Sequence, residues 1–199
     1  MDKVFVIGRD GIPGKVRLQA DEKLRWTLVY GTVPADGPVT VRTEVELCGP
    51  GAEADIAGLY LCRGTENVSF DITLRHSSGG CVSRQLFKGM AGDSSRAEFK
   101  GLIYVARDAQ KTRAYQECHT LLLSDRATTQ AEPHLEIYAD DVECSHGATS
   151  GSLNLEEQFY MRSRGIPEEE AARLQMISFI APVLKRLPDT LAAEIMEKL

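Results

Sequence analysis

No stretch of this chain approaches the roughly 18–20 consecutive apolar residues that a membrane span requires. The amino terminus, MDKVFVIGRDG, holds only a four-residue apolar run and lacks the apolar region of a signal peptide, so a cytoplasmic protein is expected. There is no Lys/Arg-rich run, and the formal net charge is −6, which argues against nucleic acid as a partner. No CxxC occurs. The five cysteines (Cys48, Cys62, Cys81, Cys118 and Cys144) are odd in number and widely spaced, which suits a reducing compartment rather than a disulfide framework. Most of them are expected to be small core hydrophobes. GxSxG, HExxH, GxGxxG and GxxxxGK[ST] are all missing, so a hydrolase, dehydrogenase or ATPase has no motif behind it and no enzyme is expected.

What the chain does have is enough apolar material for a core: 43% of its 199 residues are hydrophobic, which fits one domain or one domain with a small appendage. The first three quarters read as strand after strand. Leu24, Trp26, Leu28 and Tyr30 alternate with other residues, as do Val39, Val41, Thr43, Val45 and Leu47, and again Val68, Phe70, Ile72 and Leu74. A period of two marks half-buried strands. Turn clusters separate them at residues 34–38, 49–51, 77–80 and 92–95. Many short strands with regular turns are compatible with a sandwich, a barrel or a β-helix. One internal echo bears on the choice: ADIAGLYL from Ala54 resembles AEFKGLIYV from Ala97, with Gly58 and Gly101 separated by 43 residues. With coils on the order of 20 or more residues, that offset would be two turns of a β-helix, although Gly and Leu are common enough to match by chance.

The pattern changes after Gly151, giving an expected strand-rich core over 1–151 and a helical subdomain over 152–199. Asn154 and Glu157 have the spacing of a capping box, and Gly165 is placed to end the first helix. Pro167 fits the first turn of a second helix, in which Leu174, Ile177, Ala181 and Leu184 form an apolar stripe and Pro182 weakens the end. A last helix is expected near Pro188, with Leu191, Ile195 and Leu199 on one side. Such a stripe is core packing by default, and a docking face for a partner as the sharper alternative.

The residues that carry chemistry are concentrated in PHLEIYADDVECSHGATSG, residues 133–151. Cys144 and His146 lie two apart, so on a strand both leave the same face, about 6.5 Å apart along the chain. Thiolate and imidazole both suit iron, yet two ligands fall short of the four typical of a structural tetrahedral site. The same pair also fits a buried thiol and a hydrogen-bonded ring facing a core beside Val142. Asp140 and Asp141 point to opposite faces if extended, which favours turn or solvent roles over a shared proton. Cys118 and His119 are adjacent, so they too should diverge. His76 and His134 read as loop histidines, and Lys111 and Thr112 as a polar turn.

With these residues in view, the chain resembles the SufB/SufD family of iron–sulfur cluster assembly scaffold proteins. The matching text is FKGLIYVARDAQKTRAYQ (99–116), LLLSDRA (121–127), residues 133–151 and FYMRSRGI (159–166), in the family's order and spacing. The resemblance implies a right-handed parallel β-helix followed by a helical carboxy-terminal subdomain that docks a SufC-type ABC ATPase. It further implies pairing of two scaffold subunits, as a homodimer or with a SufB-like partner, through the ends of their β-helices. A transient iron–sulfur cluster would form at that junction, with Cys144 and His146 as its metal and cofactor ligands; flavin involvement is left open. Ala127 stands where SufB-like members carry a cysteine, which makes the chain SufD-like and leaves a purely structural adaptor as the alternative to a metal-binding scaffold. A β-helix enzyme is a further, weaker alternative. The family's typical members are longer, so this chain is expected to be a short member or a carboxy-terminal half that begins inside the coil.

Overall fold

The computed structural model describes residues 1–34 and 37–199, so the turn expected at 34–38 lies partly outside the described residues. Eleven strands come first: β1 (Asp2–Val6), β2 (Lys15–Leu18), β3 (Lys23–Tyr30), β4 (Val39–Leu47), β5 (Glu53–Cys62), β6 (Asn67–His76), β7 (Val82–Ala91), β8 (Arg96–Val105), β9 (Thr112–Leu122), β10 (Thr128–Ile137) and β11 (Val142–Gly151). Three helices follow: α1 (Leu155–Ser163), α2 (Glu168–Leu184) and α3 (Asp189–Glu197). Odd strands stack in parallel as one six-stranded sheet, β1-β3-β5-β7-β9-β11, and even strands as a five-stranded sheet, β10-β8-β6-β4-β2. The chain thus alternates between two faces of a parallel β-helix, one coil for every two strands.

The coil is longer than the echo in the sequence suggested. Glu53 lies opposite Val82, 29 residues on, and Arg96 lies opposite Thr128, 32 residues on. The 43-residue offset of Gly58 and Gly101 is therefore about one and a half coils, and it places them in different sheets, opposite Phe87 and Ile72 respectively. Their likeness is one of local space. A side chain at Gly58 would collide with the Phe87 ring, and one at Gly101 with the Gln116 carboxamide.

Parity decides what fills the coil. Val41, Thr43, Val45 and Leu47 of β4, and Val68, Phe70, Ile72 and Leu74 of β6, all turn inward and are buried. At the centre the rings of Tyr60, Phe70, Phe87 and Phe99 interlock across the two sheets, with successive centroids 5.6, 5.2 and 4.6 Å apart. These separations suit tilted and edge-on aromatic contact.

A second apolar layer lies on the outer face of the six-stranded sheet. Val29, Ala57, Leu59, Leu61 and Met90 are covered there by Ile180, Val183, Leu184 and Leu187, and by Ile195 of α3. The stripe expected on α2 is rotated: Leu174 is exposed, and the buried side runs through Ile180, Val183 and Leu184. Apolar residues lie on several sides of this helix, so spacing alone did not select the face that the sheet takes. The helix continues through Pro182 and ends two residues later at Leu184. Leu191, Ile195 and Leu199 do share the packed side of the last segment. Polar ties hold the tail in place, Arg186 Nη1 to Asp55 Oδ1 at 2.9 Å and Lys198 Nζ to the Thr32 carbonyl at 2.7 Å.

Asn154 caps α1, its Oδ1 accepting from the backbone N–H of Glu156 and Glu157. Glu157 does not reach back to complete a box; its carboxylate accepts from Gln175 Nε2 at 2.8 Å.

The tight interior yields a stability test. A Cβ at Gly89 would overlap the ring of Tyr60, which is buried and fixed by a 2.6 Å hydrogen bond between its hydroxyl and Thr120 Oγ1. Gly89→Ala should destabilise by about 1–3 kcal/mol, the usual cost of overpacking. Gly14→Ala, which meets nothing within 4 Å, should leave the urea midpoint unchanged.

Candidate functional site

β10 and β11 are the outermost strands of their sheets, each paired on one side only, with β8 and with β9. Among the described residues no strand covers their far edges, so this end of the coil is open. Pro133, in the middle of β10, offers no backbone N–H, which suits an edge strand. Through the register with β9, Cys144 lies opposite Ala114 and His146 opposite Gln116; both partners are buried in the interior. Cys144 and His146 therefore project toward the coil axis on its last turn. Cys144 is half-buried against the core of the coil, as are Val142, Ala131 and Leu135, while His146 is exposed.

The outer face of β11 is tied down. Glu143 accepts from the Tyr115 hydroxyl at 2.7 Å, and Thr149 Oγ1 lies 2.7 Å from His119 Nδ1. The strand that presents Cys144 and His146 is thus held by side chains as well as by its ladder. Burial pushes the Cys144 thiol up, the Ala114 backbone amide pulls it partly back, and the neighbouring Glu143 carboxylate pushes it up again. A thiol of this kind stays protonated until a metal or a cationic partner displaces its proton. Among the described residues no three side chains of His, Cys, Asp and Glu converge as a metal would need. Cys144 and His146 are the thiol and imidazole that β11 turns inward on this last coil.

The remaining candidates separate. Cys118 is buried while His119 faces outward, bonded to Thr149 and, at 3.2 Å, to Glu117. Asp140 and Asp141 are exposed in the turn before β11, where the Asp141 carbonyl accepts from Lys111 N at 2.6 Å. Lys111 takes a left-handed φ of 61° in its own turn, and Thr112 opens β9. His134 is exposed within β10 rather than in a loop. His76 also differs from expectation. It ends β6 fully buried, with Nε2 2.8 Å from Ser83 Oγ, because its parity in the strand turns it inward. All five cysteines are free, and burial raises the Cys62 and Cys118 thiols to about 12 and about 11, as befits inert packing groups.

Ala127 is buried just before β10 and lines a recess with Ser150 and Gly151, the far end of β11 from Cys144. At the strand rise that separation is about 20 Å. A further surface lies where α1 meets α2. Leu155, Phe159 and Tyr160 are 77%, 73% and 60% exposed, although all three are large and apolar or aromatic. Tyr160 lines a groove of about 850 Å³ between α1, α2 and the end of β9, together with Leu121, Met161, Leu174 and Phe179 among others. Sequence reasoning named neither this surface nor the inward amides Gln85 and Gln116. Strand parity carried the second signal, since Gln116 alternates with Ala114 and Cys118.

No helix among the described residues is long and apolar enough to cross a membrane. Residues 14–179 match the family described as SUF system FeS cluster assembly, SufBD core domain. The chain is 40% identical over 147 residues to the iron-sulfur cluster assembly protein SufD of Escherichia coli (strain K12), covering 74% of this chain and 35% of that protein. It is 33% identical over 168 residues to the protein of the same name from Bacillus subtilis (strain 168), covering 84% and 38%. It is 38% identical over 148 residues to Protein ABCI7, chloroplastic, of Arabidopsis thaliana, covering 73% and 31%. The chain spans about a third of the length of these relatives.

Burial holds the His76 ring neutral in the folded chain, with a pKa lowered from 6.5 to about 4. The unfolded chain binds the extra proton between those values, so the contribution is whole above pH 6.5 and is lost as the pH falls toward 4. Chemical denaturation at pH 7 and pH 4 should show a loss on the order of 3 kcal/mol attributable to this ring. His76→Gln should give a correspondingly flatter curve.

Proposed function

The chain belongs to the SufB/SufD family through its SufBD core domain, and on that premise we propose that it is a scaffold subunit for iron–sulfur cluster assembly. The observation that carries the proposal is the pair Cys144 and His146, side by side and inward-facing on the last strand of an open coil. Iron and sulfide are the cargo, not a resident cofactor. The chain's contribution is to hold a thiolate and an imidazole on a rigid strand, where a second subunit can add the missing donors. The partner is a second SufB/SufD-type subunit, of this chain or of SufB-like sequence, meeting it end to end. Support comes from the unpaired edges of β10 and β11, which seek hydrogen-bonding partners, and from the half-buried apolar residues around Cys144.

The same proposal gives the helical tail a docking role. Leu155 and Phe159 lie four residues apart on one side of α1 and are both exposed, while Tyr160 and Met161 of the same helix line the groove, and large exposed apolar side chains in one place mark interaction surfaces. The occupant is a SufC-type ABC ATPase. No catalytic constellation is assigned to the chain, which works as a scaffold rather than an enzyme. Five unpaired cysteines suit the reducing cytosol in which it would act. A purely structural adaptor is the second reading, favoured by the buried methyl of Ala127, which is no metal ligand.

Reconstitution of the purified chain with its paired subunit, iron and sulfide tests the scaffold reading. Cys144→Ser and His146→Ala should each retain less than a tenth of the iron and sulfide held by the parent after desalting. Equal absorbance in all three would remove the pair from the site and leave the adaptor. Phe159→Glu should abolish co-elution with the ATPase without altering the melting temperature, because the ring is exposed and supports no core.

A further inference from the structure

One column of the interior carries two buried carboxamides in a row. Reading across the six-stranded sheet, Trp26 stacks on Ile56, Ile56 on Gln85, Gln85 on Gln116 and Gln116 on His146. Gln85 and Gln116 are buried to within 2% of completely, and neither carboxamide oxygen nor carboxamide nitrogen of either has a hydrogen-bond partner in the protein. An unpartnered buried amide is destabilising compared with an apolar side chain of the same shape. Stability therefore gives no reason for either residue, and Gln116 is the one that lies directly beneath an exposed imidazole at the open end.

We propose that Gln116 is the positioning residue of His146: its carboxamide accepts a hydrogen bond from the ring nitrogen that does not face the metal. The two residues are register partners of the same parity on neighbouring strands, about 4.8 Å apart in the backbone, so both project into one column of the interior. The Gln116 carboxamide leans toward Gly101, whose missing side chain makes room for it, and no protein group holds it there. A ligating histidine nearly always donates its second ring N–H to an oxygen, which fixes the tautomer and the ring plane. A carboxamide supplies that oxygen without adding charge. Gln85, one coil deeper, has no register contact with His146 and serves as the internal control.

The inference rests on the reading of His146 as a metal ligand, and one titration separates the two. Cobalt(II), whose absorption reports thiolate and imidazole ligation, is added to the paired scaffold carrying the parent chain, His146→Ala, Gln116→Leu, Gln116→Met or Gln85→Leu. His146→Ala should lose the signal, Gln116→Leu and Gln116→Met should weaken binding 10- to 100-fold, and Gln85→Leu should bind as the parent does. The melting temperature of metal-free Gln116→Leu should stay level or rise, where a residue of purely structural value would lower it. Parental affinity in both Gln116 variants, with His146→Ala still defective, overturns the role of Gln116 and leaves the metal site standing. Equal binding by the parent and His146→Ala removes the metal reading and this inference with it.

Discussion

Parallel stacking of coils along one axis is the constraint from which the rest of the structure follows. Each strand takes its backbone partners from the coil before and the coil after, at a register that repeats every 29 to 32 residues over most of the stack. Inside the stack every ladder is closed on both sides, and a residue's surroundings are set by its parity and its column. At the final coil the same rule leaves one side of β10 and β11 without a partner. Among the described residues, β1 and β2 are the corresponding edges at the opposite end of the stack. Chemistry on a β-helix of this kind gathers at an end because the ends are where the stacking rule stops being satisfied.

Which features of the sequence revealed this, and which did not, follows from the range of the interactions concerned. Alternation within one strand is local, so the inward faces of β4 and β6 and the shared face of Cys144 and His146 were legible. The coil period is a long-range property, and the echo at Gly58 and Gly101 misstated it because both glycines answer separate collisions, with Phe87 and with Gln116. His76 read as a loop residue because SSGG follows it, yet the strand runs one residue further than the turn signal suggests and carries the ring into the core. That β11 is the last strand, and that its inward face is consequently open, depends on the whole stack. The family resemblance supplied that expectation, where periodicity could not.

The helical tail shows the same limit in another form. The outer face of the six-stranded sheet carries Val29, Leu59, Leu61 and Met90, too apolar to face water, and α2 and α3 cover it. Strands buried on both faces lose clean alternation, which is why the stretches around Val29 and Leu59 look continuously apolar in the sequence. Once the sheet has claimed one side of α2, Leu174 is left outside, and α1 has no core of its own beyond Gln158. The unclaimed apolar surface of the tail is thereby concentrated where α1 meets α2. Leu155 and Phe159 are left open to solvent on α1.

The two surfaces assigned to partners are mechanically joined. Only residues 152–154 separate the end of β11 from the start of α1, too few to act as a slack linker. Asn154 caps α1, while Gln175 of α2 donates to the Asn154 carbonyl at 3.0 Å and to the Glu157 carboxylate at 2.8 Å. Gln158 closes the set by donating to Gln175 Oε1 at 3.1 Å. The polar knot is partly exposed, and its breakage costs little compared with lifting α2 from the sheet. This knot and residues 152–154 couple α1 to the carboxy-terminal end of β11, whose other end carries Cys144 and His146. Strands resist extension far better than they resist rotation about their ladder. An edge strand held by one neighbour is the part of a sheet that can tilt without breaking a second ladder. The edge strand that carries Cys144 and His146 is thus held by one ladder and joined to the tail by three residues.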